Sequence, residues 1–291
     1  MKNIIGTVSI IYIIFILSLG VLLLCIISIP RIIPIEAIRK ITTATSNEIG
    51  NALVWFLKVT LGFIHRTKWK IEYPENISTK KWYLGMSNHS SWADIFVLLF
   101  ASNYKIPLLK FFIKKELRWI PVIYLIHKTI DMPFLNRHSP DEIQDNPDLR
   151  KHDFESAKIA AKKFTRYPTT AFSFAEGTRF TVEKRGLQSS PFDNLLKPKI
   201  GALATALSGM PMVEELIDFT IIYKTSKRSA WDFACGEMND AKIIVKCYEI
   251  PKSIRSIDND STEFRNKFQK FIDRIWRKKQ ILIEGEEYKI S

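Results

Sequence analysis

The stretch Trp82–Phe100 reads WYLGMSNHSSWADIFVLLF, and the rest of the chain is organised around it. Its opening run, Trp82–Met86, is short and apolar and predicts a buried strand, whereas the longer apolar run that begins near Asp94 predicts a helix. A histidine, His89, therefore lies where the strand ends. A carboxylate, Asp94, follows five residues later in the first turn of the helix.

The His89 and Asp94 side chains meet only if the chain turns between them. Positions five apart on one continuous helix are about 500° apart and share no face, so His89 must precede the helix. Ser90 or Ser91 is then a suitable N-cap. An imidazole accepts a proton near pH 7, and a carboxylate on its other nitrogen fixes the tautomer. The pair suits a general base that activates a substrate hydroxyl; the alternative is a histidine that caps a helix in a satisfied core.

The net charge and the aromatic pattern indicate which classes of partner the chain binds. Its 291 residues carry a formal net charge of +13, which favours a membrane surface, a phosphate-bearing substrate or nucleic acid as partner. Aromatic and basic residues do not alternate on a predicted sheet face, so we expect no nucleic-acid partner. The three cysteines, Cys25, Cys235 and Cys247, show no disulfide framework or metal-ligand spacing, and no metal site is expected.

The N-terminal region is predicted to associate with a membrane. Ile4–Ile29 contains no charged residue, which is long enough to cross a bilayer core and too long for a signal-peptide apolar region. A buried core helix is the alternative. Asn51–Ile64 is predicted to be an interfacial or re-entrant helix against this anchor. Trp69 among Arg66, Lys68 and Lys70 suits either the lipid headgroup level or a solvated charge run.

Apolar runs alternate with helical patterns over the remainder, which predicts an α/β fold in which helices flank the sheet. We therefore divide the chain into an anchor with its interfacial helix, 1–68, and a catalytic domain, 69–291. The predicted strands are 82–86, 107–113, 130–135, 170–174, 219–223 and 243–250. The predicted helices are 93–101, 115–128, 153–166, 200–207 and 262–279.

A second informative stretch, Phe172–Phe180, reads FSFAEGTRF. Gly177 permits a tight turn, Thr178 offers a hydroxyl, and Arg179 offers a planar guanidinium that suits phosphate. Glu176 is expected to hold Arg179 in place. The alternative is a plain strand-to-turn segment with a surface Glu–Arg pair. Two further cations outside this stretch, Lys114 and Arg137, are candidate phosphate ligands.

Together these stretches resemble the glycerolipid acyltransferases of the 1-acylglycerol-3-phosphate acyltransferase (PlsC) family. That family is marked by an N-H-x-x-x-x-D block and a later E-G-T-R block, which match Asn88–Asp94 and Glu176–Arg179. The resemblance is closer still to bacterial YihG-type acyltransferases. The stretches that carry this closer resemblance are NHSSWADI, DMPF (131–134), PTT (168–170), RFTVEK (179–184) and NLLKPK (194–199).

The resemblance implies a mixed sheet flanked by helices and an enzyme that moves a fatty acyl group to a lysophospholipid hydroxyl, such as that of 1-acylglycerol-3-phosphate. It implies that His89 is the general base and Asp94 its partner. The remaining site residues would bind the acceptor phosphate: Lys114, with Lys115 as its alternative, Arg137, Glu176, Gly177, Thr178 and Arg179. A backbone N–H near His89 or Gly177 would stabilise the oxyanion. Phe219–Tyr223 lacks the proline that relatives often have there, so no catalytic role is assigned to it.

The resemblance further implies no bound cofactor and an acyl donor that is either acyl-CoA or acyl-carrier protein. It also implies a location at the bacterial inner membrane, and the basic residues that follow the anchor indicate that the catalytic domain faces the cytoplasm. Two alternatives of other kinds stay open at this point. One is a basic membrane-anchored protein that binds lipid without catalysis, and the other is an acyl-thioester hydrolase that uses the same base with water.

Overall fold

A computed structural model describes residues 1–114, 119, 124, 129–130, 132, 134–135, 155, 158–159, 161–257 and 261–287. Its α-helices are Lys2–Ser28 (α1), Glu36–Ile64 (α2), Asp94–Ser102 (α3), Val182–Leu187 (α4), Gly201–Gly209 (α5), Ala230–Ala234 (α6), Lys252–Arg255 (α7) and Thr262–Glu287 (α8). Its strands are Lys70–Glu72 (β1), Tyr83–Ser87 (β2), Leu109–Phe111 (β3), Ile113–Lys114 (β4), Phe134–Leu135 (β5), Thr170–Phe174 (β6), Glu215–Tyr223 (β7) and Ala241–Glu249 (β8). Short 3-10 helices cover Ile29–Ile32 and Lys162–Arg166.

Six strands form one mixed sheet in the order β1, β8, β7, β2, β6, β3. β8 runs antiparallel to β7, and the other neighbouring pairs are parallel. β4 and β5 pair separately as two parallel strands. Helices α2 and α3 cover one face of the large sheet, and α5 and α8 cover the other. The predicted mixed sheet flanked by helices is confirmed.

The register of the central strands brings the two informative stretches together. Ser87 at the end of β2 lies beside Phe174 at the end of β6 and beside Phe219 in β7. Because these strands are parallel, the residues that follow β2 and β6 leave the sheet at the same edge. The core requires a glycine in the middle of β2, since a Cβ on Gly85 would lie 2.8 Å from the Phe172 ring.

Helices α1 and α2 form a hairpin that lies along the sheet domain. Within the hairpin, the Tyr12 hydroxyl donates to Thr60 Oγ1 at 2.9 Å. At one end, Lys2 forms an ion pair with Glu237, next to α6. Near the middle, the Asn103 side chain donates to the Asn51 carbonyl oxygen at 3.0 Å. The helical segment Lys2–Ile32 is long and apolar enough to cross a membrane, and it is the one such segment among the described residues.

The second helix is longer than the sequence predicts. The apolar pattern indicated a helix only over Asn51–Ile64, whereas α2 begins at Glu36. Its first half buries small polar side chains, including Thr43, Ser46 and Asn47, and so shows no apolar stripe. The buried Asn47 Nδ2 donates a hydrogen bond to the Thr43 carbonyl oxygen at 2.7 Å.

Several other boundaries differ from the predictions. The predicted strand 107–113 is broken at Phe112 into β3 and β4. Of the described residues in the predicted strand 130–135, which are 130, 132, 134 and 135, Phe134–Leu135 form a strand. Most of the predicted helix 115–128 lies outside the described residues. In the predicted helix 153–166, the described residues 155, 158–159 and 161 are helical, and Lys162–Arg166 forms a 3-10 helix. The last helix, α8, continues eight residues beyond its predicted end at Lys279.

Trp69 is half-buried against the sheet domain. Its indole N–H donates to the Met238 carbonyl oxygen at 2.8 Å, and its ring lies 6.0 Å from that of Phe100. The residues around it include β1, which pairs with β8 at the edge of the sheet. Arg66, Lys68 and Lys70 are exposed, so both interpretations of this segment stay predictions. The sequence missed β1, because an edge strand of three residues leaves no periodic signal.

We expect Phe172→Ala to lower the free energy of unfolding by about 3–5 kcal/mol, because Phe172 is fully buried between Phe111 and Phe219 and its removal leaves a cavity. Urea unfolding in a mild detergent measures the change. Val182→Ala, at a side chain that is 74% exposed, is the control and should change stability by less than about 0.5 kcal/mol. Equal effects of the two substitutions would contradict the assigned core.

Candidate active site

Asp94 is the first residue of α3, and its side chain is fully buried. Its Oδ2 accepts a hydrogen bond from His89 Nδ1 at 2.8 Å and from the backbone N–H groups of Ser90 and Ser91 at 2.7 and 2.9 Å. Its Oδ1 accepts from the Tyr223 hydroxyl at 2.6 Å. These four bonds fix the carboxylate, which places the proton of a neutral His89 on Nδ1 and leaves Nε2 as the basic nitrogen.

The turn between the two residues differs from the predicted cap. His89 precedes the helix, as predicted, but the N-cap residue is Ala93 rather than Ser90 or Ser91. The Asp94 carboxylate itself takes the N–H groups of both serines. The Ser91 hydroxyl accepts from the Ala93 N–H at 3.0 Å and donates to the Arg228 carbonyl oxygen at 2.7 Å.

A ring contact also fixes the orientation of the His89 imidazole. It stacks on Phe174 with ring centroids 3.8 Å apart and ring planes 14° apart. Its neighbour Asn88 exchanges two hydrogen bonds of 2.9 Å with the backbone of Ile221, which ties the end of β2 to β7. The His89 side chain stays 16% exposed while Asp94 is buried, so the imidazole is the part of the pair that a substrate can reach.

Glu176 supports His89 rather than Arg179. Its carboxylate is fully buried, and it accepts the His89 backbone N–H on Oε1 at 2.8 Å and the Leu196 N–H on Oε2 at 2.9 Å. The prediction that Glu176 holds Arg179 is therefore wrong. The motif placed them close in sequence, but the carboxylate turns inward and the guanidinium outward. Burial raises the pKa of Glu176 to about 7, against the opposing effect of its two amide donors.

Helix α8 acts on Glu176 through Leu196 and through the charge of Lys279. The Trp276 indole N–H donates to the Leu196 carbonyl oxygen at 2.9 Å. Lys279 is buried and donates to the Phe219 carbonyl oxygen at 2.7 Å, and it forms an ion pair with Asp218 at 2.8 Å. Its charge also lowers the pKa of Glu176. The sequence predicted this helix, 262–279, without a function, because it does not show which distant residues Trp276 and Lys279 contact.

The turn after Glu176 presents cations at the surface. Gly177 adopts φ +70°, a left-handed conformation that favours glycine. Arg179 is exposed and its guanidinium lies 4.6 Å over the Trp92 ring. Lys184 Nζ donates to the Thr178 hydroxyl at 2.9 Å, and Lys199 Nζ lies 3.7 Å from the point that a Cβ on Gly177 would occupy. We call Arg179, Lys184 and Lys199 the cationic rim.

The two blocks of sequence are thus adjacent in space. The Phe180 N–H donates to the His89 carbonyl oxygen at 2.7 Å, which joins the turn directly to the histidine segment. Lys114 ends β4, and Arg137 lies outside the described residues. Within the part of the chain that the structure describes, no three histidine, cysteine or acidic side chains gather as metal ligands.

Two contributors to the site were missed from the sequence. Tyr223 ends β7 and reaches Asp94, although Phe219–Tyr223 was given no role. Burial and the Asp94 carboxylate raise the pKa of Tyr223 well above its usual value, so its hydroxyl remains a donor. The signal was a tyrosine at the end of a strand, but its alignment with β2 was not readable from the sequence. Lys199 was likewise noted without a role.

Comparison with known proteins agrees with this architecture. The sequence model of the Acyltransferase family matches residues 68–223, a range that contains His89, Asp94, the Glu176–Arg179 turn and Tyr223. Among solved structures, the chain is similar to the 1-acyl-sn-glycerophosphate (LPA) acyltransferase PlsC from Thermotoga maritima. The TM-score is 0.50 and the sequence identity 16%, over 97% of this chain and 98% of that chain. At that identity the likeness is one of fold. No curated protein sequence matches.

The raised pKa of Glu176 predicts a specific dependence of stability on pH. Glutamate in the unfolded chain ionises near pH 4.3, whereas Glu176 in the folded chain ionises near pH 7. Between these values the unfolded state binds fewer protons, so the free energy of unfolding should fall as the pH rises, by on the order of 3 kcal/mol in total. Glu176→Gln should lack this fall and differ from wild type by an amount that changes with pH.

Urea unfolding at several pH values between 4 and 8 measures this dependence. Glu183→Gln, at an exposed acid in α4, is the matched control and should follow the wild-type curve. Parallel curves for wild type and Glu176→Gln would show that Glu176 ionises normally and would contradict the assignment.

Proposed function

Because the chain belongs to the Acyltransferase family, we propose that it transfers a fatty acyl group from an acyl thioester to the free hydroxyl of a lysophospholipid. The observation that carries the proposal is the 2.8 Å hydrogen bond between His89 Nδ1 and the buried Asp94, beside an exposed cationic rim. A base next to a phosphate-binding surface suits an acceptor that carries both a hydroxyl and a phosphate. A lipid-binding protein without catalysis has no need of the base.

In the proposed reaction, His89 Nε2 removes the proton from the acceptor hydroxyl as that oxygen attacks the thioester carbonyl carbon. The tetrahedral intermediate collapses, the carbon–sulfur bond breaks, and the imidazolium returns its proton to the leaving thiolate. Asp94 stabilises the imidazolium between the two proton transfers. The Tyr223 hydroxyl and the N–H groups of Ser90 and Ser91 keep Asp94 from rotating away.

The expected oxyanion donors have other partners. The His89 N–H donates to Glu176, and the Gly177 N–H donates to the Phe174 carbonyl oxygen at 2.9 Å. The backbone N–H groups of Thr178 and Arg179, in contrast, have no acceptor among the described residues. They follow the left-handed Gly177, and successive N–H groups in such a turn suit an anion.

We assign the acceptor phosphate to this turn. The Arg179 guanidinium offers a planar pair of donors, its ring contact with Trp92 limits its motion, and Lys184 and Lys199 add charge. Thr178 contributes its backbone N–H, and Gly177 contributes the left-handed turn that exposes this N–H. Lys114 and Arg137 are proposed as further ligands. Glu176 shapes this site from inside by holding the His89 backbone.

The proposed acceptor is 1-acylglycerol-3-phosphate or a related lysolipid, and the proposed donor is acyl-CoA or acyl-carrier protein. We place the enzyme on the bacterial inner membrane with the catalytic domain in the cytoplasm. The α1–α2 hairpin contacts the sheet domain at both ends, through Lys2 with Glu237 and Glu36 with Arg166. This packing favours a hairpin laid along one leaflet, with the exposed apolar side chains of α1 and α2 in the lipid.

We expect His89→Ala to lower the rate of acyl transfer by about 10²–10⁴-fold, because the general base is lost. The assay measures labelled acyl groups transferred from acyl-CoA, or from acyl-carrier protein, to a panel of lysophospholipids in vesicles. An unchanged urea unfolding curve shows that the variant is folded. A folded His89→Ala enzyme with wild-type transfer would refute the mechanism, and fatty acid release without acylated lysolipid would indicate a hydrolase.

Arg179→Gln should raise the KM for lysophosphatidate by about 10- to 100-fold, the value of one charge-assisted contact, with a smaller change in kcat. The matched control is Arg185→Gln, since Arg185 lies in the same segment but pairs with Asp193 and the Phe192 carbonyl oxygen. Steady-state kinetics at a fixed donor concentration measure both constants. Equal KM values for the two variants would contradict the assignment of the acceptor phosphate to Arg179.

A further inference from the structure

A cavity lies at the end of the hairpin where the chain passes from α1 to α2. Its volume is about 620 Å³, and part of its wall comes from the end of α1 and the 3-10 helix Ile29–Ile32. The opposite wall includes Lys163 and Arg166, from the 3-10 helix Lys162–Arg166.

This cavity is separate from the candidate active site. Lys163 and Arg166 precede β6, whereas Phe174 and Glu176 lie at and beyond its carboxyl end. A five-residue strand spans about 17 Å, so the two sites face opposite ends of the same strand. None of the described residues that line the cavity belongs to the His89 site or to the cationic rim.

Among the described residues, four cations line the cavity, namely Arg31, Arg39, Lys163 and Arg166, and none of the described lining residues is acidic. Two threonine hydroxyls orient Arg31, whose Nε and Nη2 donate to Thr42 and Thr43 at 3.0 and 2.9 Å.

The acid Glu36 lies beside the cavity, where its carboxylate forms an ion pair with Arg166 at 3.0 Å. Over the described ranges of the chain, Arg39 and Lys163 have no carboxylate within ion-pair distance. Arg39 and Lys163 therefore give the cavity positive charge that no carboxylate among the described residues pairs with.

The rest of the lining is apolar and continues to an apolar outer surface. Cys25, Ile29 and Ile32 face the cavity, and Ile29 and Ile32 are 62% and 84% exposed. The α1 surface beyond them exposes large side chains such as Leu22 and Ile26. A ligand that satisfies both halves carries an anionic head and a hydrocarbon tail. Guanidinium groups pair well with phosphate, and the apolar helix suits acyl chains.

We propose that this cavity binds the phosphate headgroup of an anionic glycerophospholipid of the bilayer, with the acyl chains along α1. The bound lipid is a component of the membrane rather than a reactant, and it fixes the far end of the hairpin at the surface. The site goes beyond acyl transfer, and its occupancy does not depend on the reaction.

The test uses the full-length protein in detergent micelles, without acyl donor or lysolipid. Phosphatidylglycerol with a diazirine in its acyl chain is cross-linked by light, and the labelled peptides are identified by mass spectrometry. Phosphatidylcholine with the same diazirine is the headgroup control. Arg39→Gln/Lys163→Gln is compared with Lys270→Gln/Arg274→Gln, which removes one lysine and one arginine from exposed positions of α8 on the opposite face of the sheet.

We expect phosphatidylglycerol to label Cys25–Ile32 at least fivefold more than phosphatidylcholine does. Labelling should fall at least fivefold in Arg39→Gln/Lys163→Gln and stay unchanged in Lys270→Gln/Arg274→Gln. Equal labelling by the two lipids, or equal losses in the two double variants, would overturn the proposal. Competition by inorganic phosphate as effective as that by unlabelled phosphatidylglycerol would show a free-phosphate site and would also overturn it. An enzyme inactive in acyl transfer that still shows this selectivity would leave the lipid site standing.

Discussion

Asp94 accepts four hydrogen bonds with none of its side chain exposed to solvent. A buried carboxylate is costly unless each of its oxygens is satisfied, so its surroundings must be built around it. That requirement places the turn of Ser90 and Ser91, the start of α3 and the end of β7 at fixed positions. Of the two side chains that donate to Asp94, Tyr223 is buried and His89 remains partly exposed, at 16%. The same bonds that make burial tolerable therefore also orient the imidazole.

A second buried carboxylate, that of Glu176, fixes the backbone of His89 from the segment after the neighbouring strand β6. Glu176 joins the His89 backbone to the Leu196 backbone, and Trp276 of α8 holds Leu196 in turn. This inward use of Glu176 turns the next residues outward, so Arg179 lies on Trp92 at the surface. The base and the cationic rim thus lie on two adjacent segments at the same edge of the sheet. A substrate that bridges them must carry its anionic group close to its reactive hydroxyl.

Sequence reasoning succeeded where the chemistry lies in a short contiguous stretch. The strand before His89, the helix after Asp94 and the turn at Gly177 follow from local patterns, and so does the α/β class. It failed where the partner is distant in sequence. Tyr223 reaches Asp94 and Trp276 reaches Leu196 only because β7 and α8 pack beside β2 and β6. The first half of α2 was missed because its buried side chains are small and polar, and Glu176 was given the nearest cation as partner rather than the backbone.

The central claim is that Asp94 fixes His89 as a base whose free nitrogen is Nε2. The most direct test is the ¹⁵N chemical shift of the imidazole nitrogens in the ¹⁵N-histidine-labelled protein, since the chain has five histidines and a His89→Gln spectrum identifies the signals. In the neutral form we predict a protonated Nδ1 and an unprotonated Nε2, and Asp94→Asn should abolish this preference. A neutral His89 with its proton on Nε2, or a tautomer that Asp94→Asn leaves unchanged, would contradict the account.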